Sequence, residues 1–211
     1  MKKLELQKCI VGSVYTNCYF LKNKETGELL IVDPGDAADM IERKVSEMQG
    51  KPVGILLTHG HFDHLLGVDK FKSEFGVDTY VSQDDLSQVK LAPDMMLMFA
   101  GEKIPDIGEI THFVKDGDEF SIGNTKIKAI STAGHTRGGM CYLIGDNLFS
   151  GDTLFRGSVG RCDLPEGDFR AIEKSIKEKL FKLPDETTVY TGHGDKTTIG
   201  YEKRFNEIVN V

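Results

Sequence analysis

The chain has 211 residues, of which 39% are hydrophobic and 28% are charged, and this composition excludes a disordered or fibrous protein. Its 26 basic and 33 acidic residues give a net charge of −7, which argues against a nucleic-acid partner. No apolar run reaches the roughly 18 residues that a membrane helix needs, so no membrane partner is expected. A chain of this length buries about 70% of its unfolded surface without disulfides. We therefore expect a single domain over residues 1–211.

The cysteines and the first residues indicate the compartment. Cysteine occurs at four positions without Cys-x-x-Cys spacing, which is typical of reduced thiols: Cys9, Cys18, Cys141 and Cys162. The first ten residues alternate like a strand and lack the apolar core of a signal peptide. We expect a cytoplasmic protein.

In the first half, short apolar runs alternate with helical patterns, and glycine and proline separate them. The predicted strands are Leu4–Ile10, Cys18–Lys22, Leu29–Asp33, Val53–Thr58 and Thr79–Ser82, and the predicted helices are Ala37–Gln49 and Leu65–Phe75. The stretch from Asp84 to Gly108 is mixed and is broken by Pro93 and Pro105.

The second half repeats this organisation. Its predicted strands are His112–Val114, Glu119–Ile122, Thr125–Ser131, Met140–Ile144, Asn147–Ser150 and Thr187–Thr191, and its predicted helices are Phe169–Phe181 and Ile199–Val209. Hairpin turns are predicted at Gly123-Asn124 and at residues 145–147. Since both halves place strands before strand–helix units, we expect two similar layers of strands and helices packed face to face.

The strongest functional signal directly follows the strand Val53–Thr58. Residues 58–64 read Thr-His-Gly-His-Phe-Asp-His, and imidazole and carboxylate are standard ligands of divalent transition metals. Side chains diverge in a loop that leaves a strand, so His59 and His61 are expected to face one ion, and Asp63 and His64 another. A polar surface loop with fortuitous histidines is the alternative interpretation.

Three more residues of these types also follow predicted strands. They are His135, Asp152 and His193, each with glycine neighbours that allow close backbone approach. Ligands of open α/β sheets bind at the carboxyl ends of strands. Each residue alone is equally consistent with a turn, but with the cluster they supply seven ligands, enough for two ions that share one carboxylate.

These motifs resemble those of the metallo-β-lactamase superfamily over nearly the whole chain. The resemblance rests on the cluster at 59–64 and on Gly134-His135-Thr136, Ser150-Gly151-Asp152-Thr153 and Gly192-His193-Gly194. Within the superfamily, residues 151–161 and 191–194 are similar to the short glyoxalase II-like hydrolases of bacteria. The resemblance implies an α+β fold, a four-layer αββα sandwich with the site along one edge of its two sheets.

The resemblance also implies ligand roles. The first ion would be held by His59, His61 and His135, the second by Asp63, His64 and His193, and Asp152 would bridge them. Asp33 matches an aspartate in the outer shell that would orient a ligating imidazole, and a turn-initiating Asp is the alternative. Zinc is the favoured metal. Iron and manganese are the alternatives, because all three metals tolerate this ligand set.

Two divalent ions about 3.5–4 Å apart share a water and lower its pKa towards about 7, which yields a bridging hydroxide as nucleophile. Asp152 would act as the catalytic bridge, and Asp63 would either ligate or take a proton from the water. The chain has no Gly-x-Ser-x-Gly motif. A thiolate, with a pKa of about 8.5, leaves without a strong general acid, which favours an ester or thioester over an amide.

The first hypothesis is therefore a dinuclear metal-dependent thioester hydrolase of the hydroxyacylglutathione hydrolase type, whose substrate is a small acyl thioester linked to glutathione. Persulfide dioxygenases are the alternative, since Gly160-Arg161-Cys162-Asp163 resembles a segment of that family. They hold one iron through residues that match His59, His135 and Asp152. The remaining histidines are present in that family as well, so the ligand motif does not decide between the two. The glycine at 192 favours the hydrolase, because the dioxygenases usually have an alanine before the histidine that matches His193. Purely structural ions fit poorly, because structural zinc sites are usually cysteine-rich.

Substrate recognition is less legible. Full-length glyoxalase II binds substrate through a carboxyl-terminal helical domain and the loop after the bridging aspartate, and we expect this chain to have no such domain. Arg156 and Arg161 in that loop are predicted to hold substrate carboxylates, with surface arginines as the alternative and Arg137 as a weaker candidate.

Some residues receive no firm role. Cys162 is interpreted as an inert small residue rather than a thiol near the metals, and His112 as a strand histidine without partners. The segment 95–99, with Met95, Met96, Met98 and Phe99, is interpreted as helix core, and a flexible lid over an apolar acyl group is the alternative.

Overall fold

The computed structural model describes residues 4–36, 38–104 and 107–209. Its strands are β1 (Leu4–Val11), β2 (Thr16–Asn23), β3 (Glu28–Val32), β4 (Lys51–Leu56), β5 (Thr79–Ser82), β6 (His112–Val114), β7 (Glu119–Ile122), β8 (Thr125–Ser131), β9 (Met140–Ile144), β10 (Asn147–Gly151), β11 (Leu154–Phe155), β12 (Ser158–Val159), β13 (Thr188–Thr191) and β14 (Thr197–Thr198). Its helices are α1 (Ala38–Glu47), α2 (Phe62–Leu65), α3 (Val68–Phe75), α4 (Leu86–Ala100), α5 (Phe169–Glu178) and α6 (Ile199–Phe205). Two 3₁₀ turns lie at Gln83–Asp85 and Leu180–Lys182.

The strands form two mixed sheets and one small hairpin. The first sheet follows chain order from β1 to β6, with antiparallel pairs up to β3 and parallel pairs from β3 onwards. The second sheet has the order β14-β13-β10-β9-β8-β7, and only the β10–β13 pair in it is parallel. Strands β11 and β12 pair separately. As a result, β4, β8, β10 and β13 all end at one edge of the molecule.

Three apolar clusters define the layers. The central cluster joins residues of both sheets, such as Leu30 and Tyr142, so the sheets pack face to face. A second cluster packs α1 to α4 on the first sheet, and a third packs α5 and α6 on the second sheet. This arrangement confirms the four-layer αββα sandwich and the α+β class. Within the described residues, no helix is both long and apolar enough to cross a membrane.

Several predicted elements change in the structure. The single helix Leu65–Phe75 is wrong, because α2 and α3 are separate and the Gly67 amide between them donates to the Pro34 carbonyl at 2.7 Å. The mixed stretch contains α4, which tolerates Pro93 inside it. Met95 and Met96 are buried on α4 as predicted, but Met98 is 67% and Phe99 50% exposed, so the helix-core interpretation holds for the first pair alone.

The remaining differences are small. The β11–β12 hairpin and β14 were not predicted, since two-residue strands leave no alternation to detect. Both predicted hairpin turns connect paired strands, β7 to β8 and β9 to β10. Ala37 and Pro105 lie outside the described residues.

Candidate metal centre

The structure brings all seven predicted ligands together at one edge of the sandwich. His59 and His61 follow β4, Asp63 and His64 lie on α2, and His135, Asp152 and His193 follow β8, β10 and β13. Residues from both halves of the chain therefore meet in one cluster. The clustering depends on close backbone approach, because a Cβ on Gly192 would lie 2.0 Å from Asp152 Oδ1.

The first triad consists of His59, His61 and His135, all buried. His61 Nδ1 lies 3.1 Å from His59 Nε2 and 2.9 Å from His135 Nε2. One nitrogen from each ring thus faces a common point, an arrangement suited to one divalent ion.

The second triad consists of Asp63, His64 and His193. Asp63 Oδ2 lies 3.2 Å from His64 Nε2 and 3.3 Å from His193 Nε2. A single oxygen of Asp63 therefore faces both imidazoles, which is the placement expected of a ligand.

Asp152 lies between the two triads. Its Oδ1 is 3.5 Å from His64 Nε2, and its Oδ2 is 3.5 Å from His135 Nε2 and 3.4 Å from His193 Nε2. The carboxylate touches one imidazole of the first triad and two of the second, so it occupies the position of a shared ligand.

The polar atoms of this cluster fit a metal. His61 Nε2, His64 Nε2 and Asp152 Oδ1 are buried without a hydrogen-bond partner. Buried polar atoms are rarely left unpaired in native proteins. The unpaired His64 and Asp152 atoms face the cluster, where an ion would satisfy them, and a nitrogen–oxygen ligand set suits zinc, iron or manganese.

Asp33 orients the imidazoles of both triads from behind. It is buried, its Oδ2 accepts from His64 Nδ1 at 3.0 Å, and it accepts the hydroxyl of Thr58 at 2.7 Å. Since the Thr58 hydroxyl donates its hydrogen bond to Asp33, its oxygen accepts from His59 Nδ1 at 3.1 Å. Both imidazoles thereby donate through Nδ1, which directs Nε2 towards the position of an ion.

Two main-chain carbonyls orient other histidines. His135 Nδ1 donates to the Arg161 carbonyl at 2.7 Å, and His193 Nδ1 donates to the Val14 carbonyl at 3.1 Å. Asp63 Oδ2 also accepts the hydroxyl of Thr16 at 2.7 Å. Sequence reasoning missed Thr16 and Thr58. Thr16 reaches Asp63 across 47 positions, and Thr58, although next to His59, depends on its bond to the distant Asp33.

The pKa values of the two triads differ in the protein without metal. Burial lowers the pKa of His59 far below its usual value and that of His61 to about 4, so these two imidazoles are neutral. Burial also disfavours a charged His193, but its bonds to Asp152 and Asp63 raise its pKa to about 10. Burial opposes ionisation of Asp63, yet attraction to His64 holds its pKa well below its usual value. The second triad therefore holds protons on imidazole next to ionised carboxylates.

The two predicted substrate arginines lie in different settings. Arg156 stacks over the Tyr201 ring at 5.4 Å and lines a cavity of about 550 Å³. Arg161 forms two hydrogen bonds with Asp163, at 2.7 and 2.8 Å, so its guanidinium is already engaged. Arg137 is exposed beside His135.

Cys162 and His112 each contact residues other than the metal ligands. Burial raises the pKa of Cys162, whose thiol donates to the Gly160 carbonyl, and its side chain packs on the third apolar cluster. These contacts support the interpretation of an inert residue. The prediction that His112 has no partners is wrong, because it stacks on Tyr80 and its Nε2 lies 3.2 Å from Asp78 Oδ2.

Comparison with known proteins identifies the family. A family model described as the metallo-beta-lactamase superfamily matches residues 11–193. The chain belongs to this superfamily. Among solved structures, BLEG-1 B3 metallo-beta-lactamase superimposes with a TM-score of 0.92 at 32% identity, covering 98% of this chain and 100% of that chain. TTHA1623 in a di-iron-bound form gives a TM-score of 0.86 at 32% identity, covering 95% and 98%.

Relatives by sequence agree with this assignment. Hydroxyacylglutathione hydrolase GloC of Haemophilus influenzae is 32% identical over 203 residues, which cover 95% of each chain. ETHE1 from Myxococcus xanthus shares the fold, with a TM-score of 0.80 at 24% identity over 97% of this chain and 84% of that chain. The present chain, as a member of the metallo-beta-lactamase superfamily, is a metal-dependent enzyme with a His/Asp site.

Proposed function

We propose that the protein is a dinuclear metal-dependent hydrolase of small acyl thioesters, of the hydroxyacylglutathione hydrolase type. The observation that carries the proposal is the position of Asp152 between two complete triads, within 3.5 Å of nitrogens from both. The similarity to GloC of Haemophilus influenzae supports the thioester.

The residues divide the work between them. Divalent ions held by the two triads would polarise the acyl carbonyl and lower the pKa of a bound water towards about 7. The two oxygens of Asp152 contact both triads and so hold them at a fixed distance from each other. Asp63 serves as a ligand rather than a base, because the same oxygen that faces His64 and His193 also accepts from Thr16.

The cavity beside Arg156 supports an acidic thiol carrier. Lys8, Arg156 and Lys196 line it together with one acid, Asp195, although the chain as a whole carries a net charge of −7. Two features place the cavity next to the metal ligands. Asp195 follows His193 by two residues, and the ring centroid of Phe155, the neighbour of Arg156, lies 6.1 Å from that of His193. A local excess of cations next to the ligands suits the carboxylates of a glutathione-like carrier.

The test is hydrolysis of S-D-lactoylglutathione by the metal-loaded protein, measured as the release of free thiol. We expect turnover in the wild type, none above background in Asp152→Ala, and a raised KM with similar kcat in Arg156→Ala. Arg43→Ala, which removes an exposed arginine of α1 outside the cavity, is the matched control and should keep the wild-type KM. Wild-type turnover no greater than that of Asp152→Ala would refute the thioesterase.

A persulfide dioxygenase is the second candidate, and the similarity to a di-iron-bound protein keeps iron in consideration. It would use His59, His135 and Asp152 alone. Metal counting with oxygen uptake on glutathione persulfide separates the two. One iron per chain with oxygen consumption would favour the dioxygenase, and two ions without oxygen consumption the hydrolase.

A further inference from the structure

Asp85 is a buried carboxylate that belongs to neither triad. It is fully buried at the end of the 3₁₀ turn Gln83–Asp85, directly before α4. Its oxygens accept from the Gly60 amide at 2.7 Å, the Gly138 amide at 2.7 Å and the Thr136 hydroxyl at 2.9 Å.

These three donors lie in the two loops of the first triad. Gly60 separates His59 from His61, while Thr136 and Gly138 follow His135 by one and three residues. The loops come from different sheets, since one follows β4 and the other follows β8. One carboxylate therefore bonds to both loops that carry the first triad.

The side chain of Asp85 does not cap the helix that it precedes. An aspartate at a helix N-cap normally accepts from amides of its own helix. Asp85 occupies the N-cap of α4 without such a bond, and its carboxylate points to the ligand loops instead. The loops also pack tightly on it, because a Cβ on Gly138 would lie 2.4 Å from the Asp85 nitrogen.

We propose that Asp85 is a positioning residue that sets the spacing between His61 and His135 and so determines the metal affinity of the first triad. The proposal rests on the metal-binding part of the proposed function and is independent of the substrate. Asparagine in its place keeps the size but turns an amide group towards N–H donors, which loosens one of the two loops.

The experiment measures zinc affinity by competition with a chromophoric chelator, in a His193→Ala background that disables the second triad. We expect Asp85→Asn to weaken binding to the first triad by about 10–100-fold. With His193 intact, the second equivalent should stay within about twofold of wild type. The absorption spectrum of the cobalt-substituted protein should change as well, because the coordination geometry of the first triad changes.

Glu202 offers a matched control. It is also fully buried, and it accepts from the Gly157 amide, the Thr197 hydroxyl and the Asn206 amide at 2.5 to 2.9 Å. Glu202→Gln should lower stability without changing zinc affinity. Wild-type affinity in Asp85→Asn, or equal weakening in Glu202→Gln, would overturn the proposal.

A milder variant covers the case in which Asp85→Asn does not fold. Thr136→Val removes one of the three donors, and we expect a smaller loss of first-triad affinity in the same direction. Wild-type affinity in Thr136→Val would then contradict the proposal. Failure of the wild type to bind zinc would instead refute the proposed metal site itself.

Discussion

Among single residues, Asp33 has contacts that reach both triads. Its carboxylate bonds directly to His64 of the second triad and, through Thr58, to His59 of the first. Its backbone has a positive φ of 52°, a conformation in which Asp and Asn are tolerated better than most residues. The backbone there turns the buried carboxylate towards the ligands.

Asp33→Asn tests this role. Asparagine fits the same backbone, but the carboxylate accepts the Thr58 main-chain amide on Oδ1 and both the Thr58 hydroxyl and His64 Nδ1 on Oδ2. The amide nitrogen of asparagine can accept none of these bonds, so at least one of the two sides is lost. We expect the affinity for both zinc equivalents to fall by about 10–100-fold, measured by chelator competition. This result differs from that expected of Asp85→Asn, which affects the first triad alone. Loss of a single equivalent in Asp33→Asn would contradict the shared role.

At the scale of elements, strands bounded by turn residues were predicted well. Strands β5, β6 and β7 have the predicted bounds, because each is a short alternating run between breakers. The helical pattern of Leu65–Phe75 concealed a break, since Gly67 leaves the helix to contact Pro34, far away in sequence. Contacts of this kind have no periodic signal.

In the candidate site too, local sequence patterns were predictable and contacts between distant residues were not. The ligand set was visible in the sequence because histidines and aspartates cluster at strand ends in a spacing that resembles a known family. The residues that orient those ligands were largely invisible. Thr16 and Asp85 reach their partners across 47 and at least 25 positions of the chain, so only the folded arrangement reveals them.

The loop after β13 must approach β10 closely for the ligands to meet. Gly192→Ala would place a Cβ 2.0 Å from Asp152 Oδ1 and 2.9 Å from His64 Cε1. We expect this variant to bind fewer than two metal equivalents by elemental analysis, with far-UV circular dichroism unchanged. In the control Gly145→Ala, a remote turn with nothing within 4 Å of the new Cβ, stability should fall by about 1 kcal/mol and metal content should not change. Full metal content in Gly192→Ala would show that the approach is not required.

Tyr19 links the two sheets through its hydroxyl. The Tyr19 hydroxyl on β2 donates to the Thr191 carbonyl on β13 at 2.6 Å, and burial raises the pKa of this phenol. Because the folded-state pKa lies above the unfolded value of about 10, the hydroxyl contributes stability that is complete below about pH 10 and is lost as the pH rises through the folded-state pKa.

Tyr19→Phe makes this dependence measurable. At neutral pH the variant should lose about 0.5–1.5 kcal/mol, since the Thr191 carbonyl keeps its bond from Asn17. The difference in unfolding free energy between wild type and variant should shrink above about pH 10, by at most about 1.4 kcal/mol per pH unit. Urea denaturation across the alkaline range checks this, and a difference independent of pH would contradict it.

For the whole molecule, each triad draws ligands from both halves of the chain. Bound ions would therefore connect the two sheet layers and stabilise the native state by mass action. The three apolar clusters are formed without the ligands, so the fold itself should survive removal of metal.

Chelation should thus lower Tm while leaving the secondary structure intact. We expect treatment with a strong chelator to reduce Tm by several degrees, since ligand-linked stabilisation of about 2.7 kcal/mol arises at a metal concentration 100 times Kd. Calorimetry and circular dichroism of the same sample check the two parts. An unchanged Tm would mean that the ions do not join the layers.

The central claim is that the seven side chains form a site for two ions. Its most direct test is calorimetric titration of the metal-free protein with zinc, in parallel with His193→Ala. The two-triad arrangement predicts two equivalents per chain for the wild type and one strong equivalent for His193→Ala. A single equivalent in both proteins would contradict the dinuclear site.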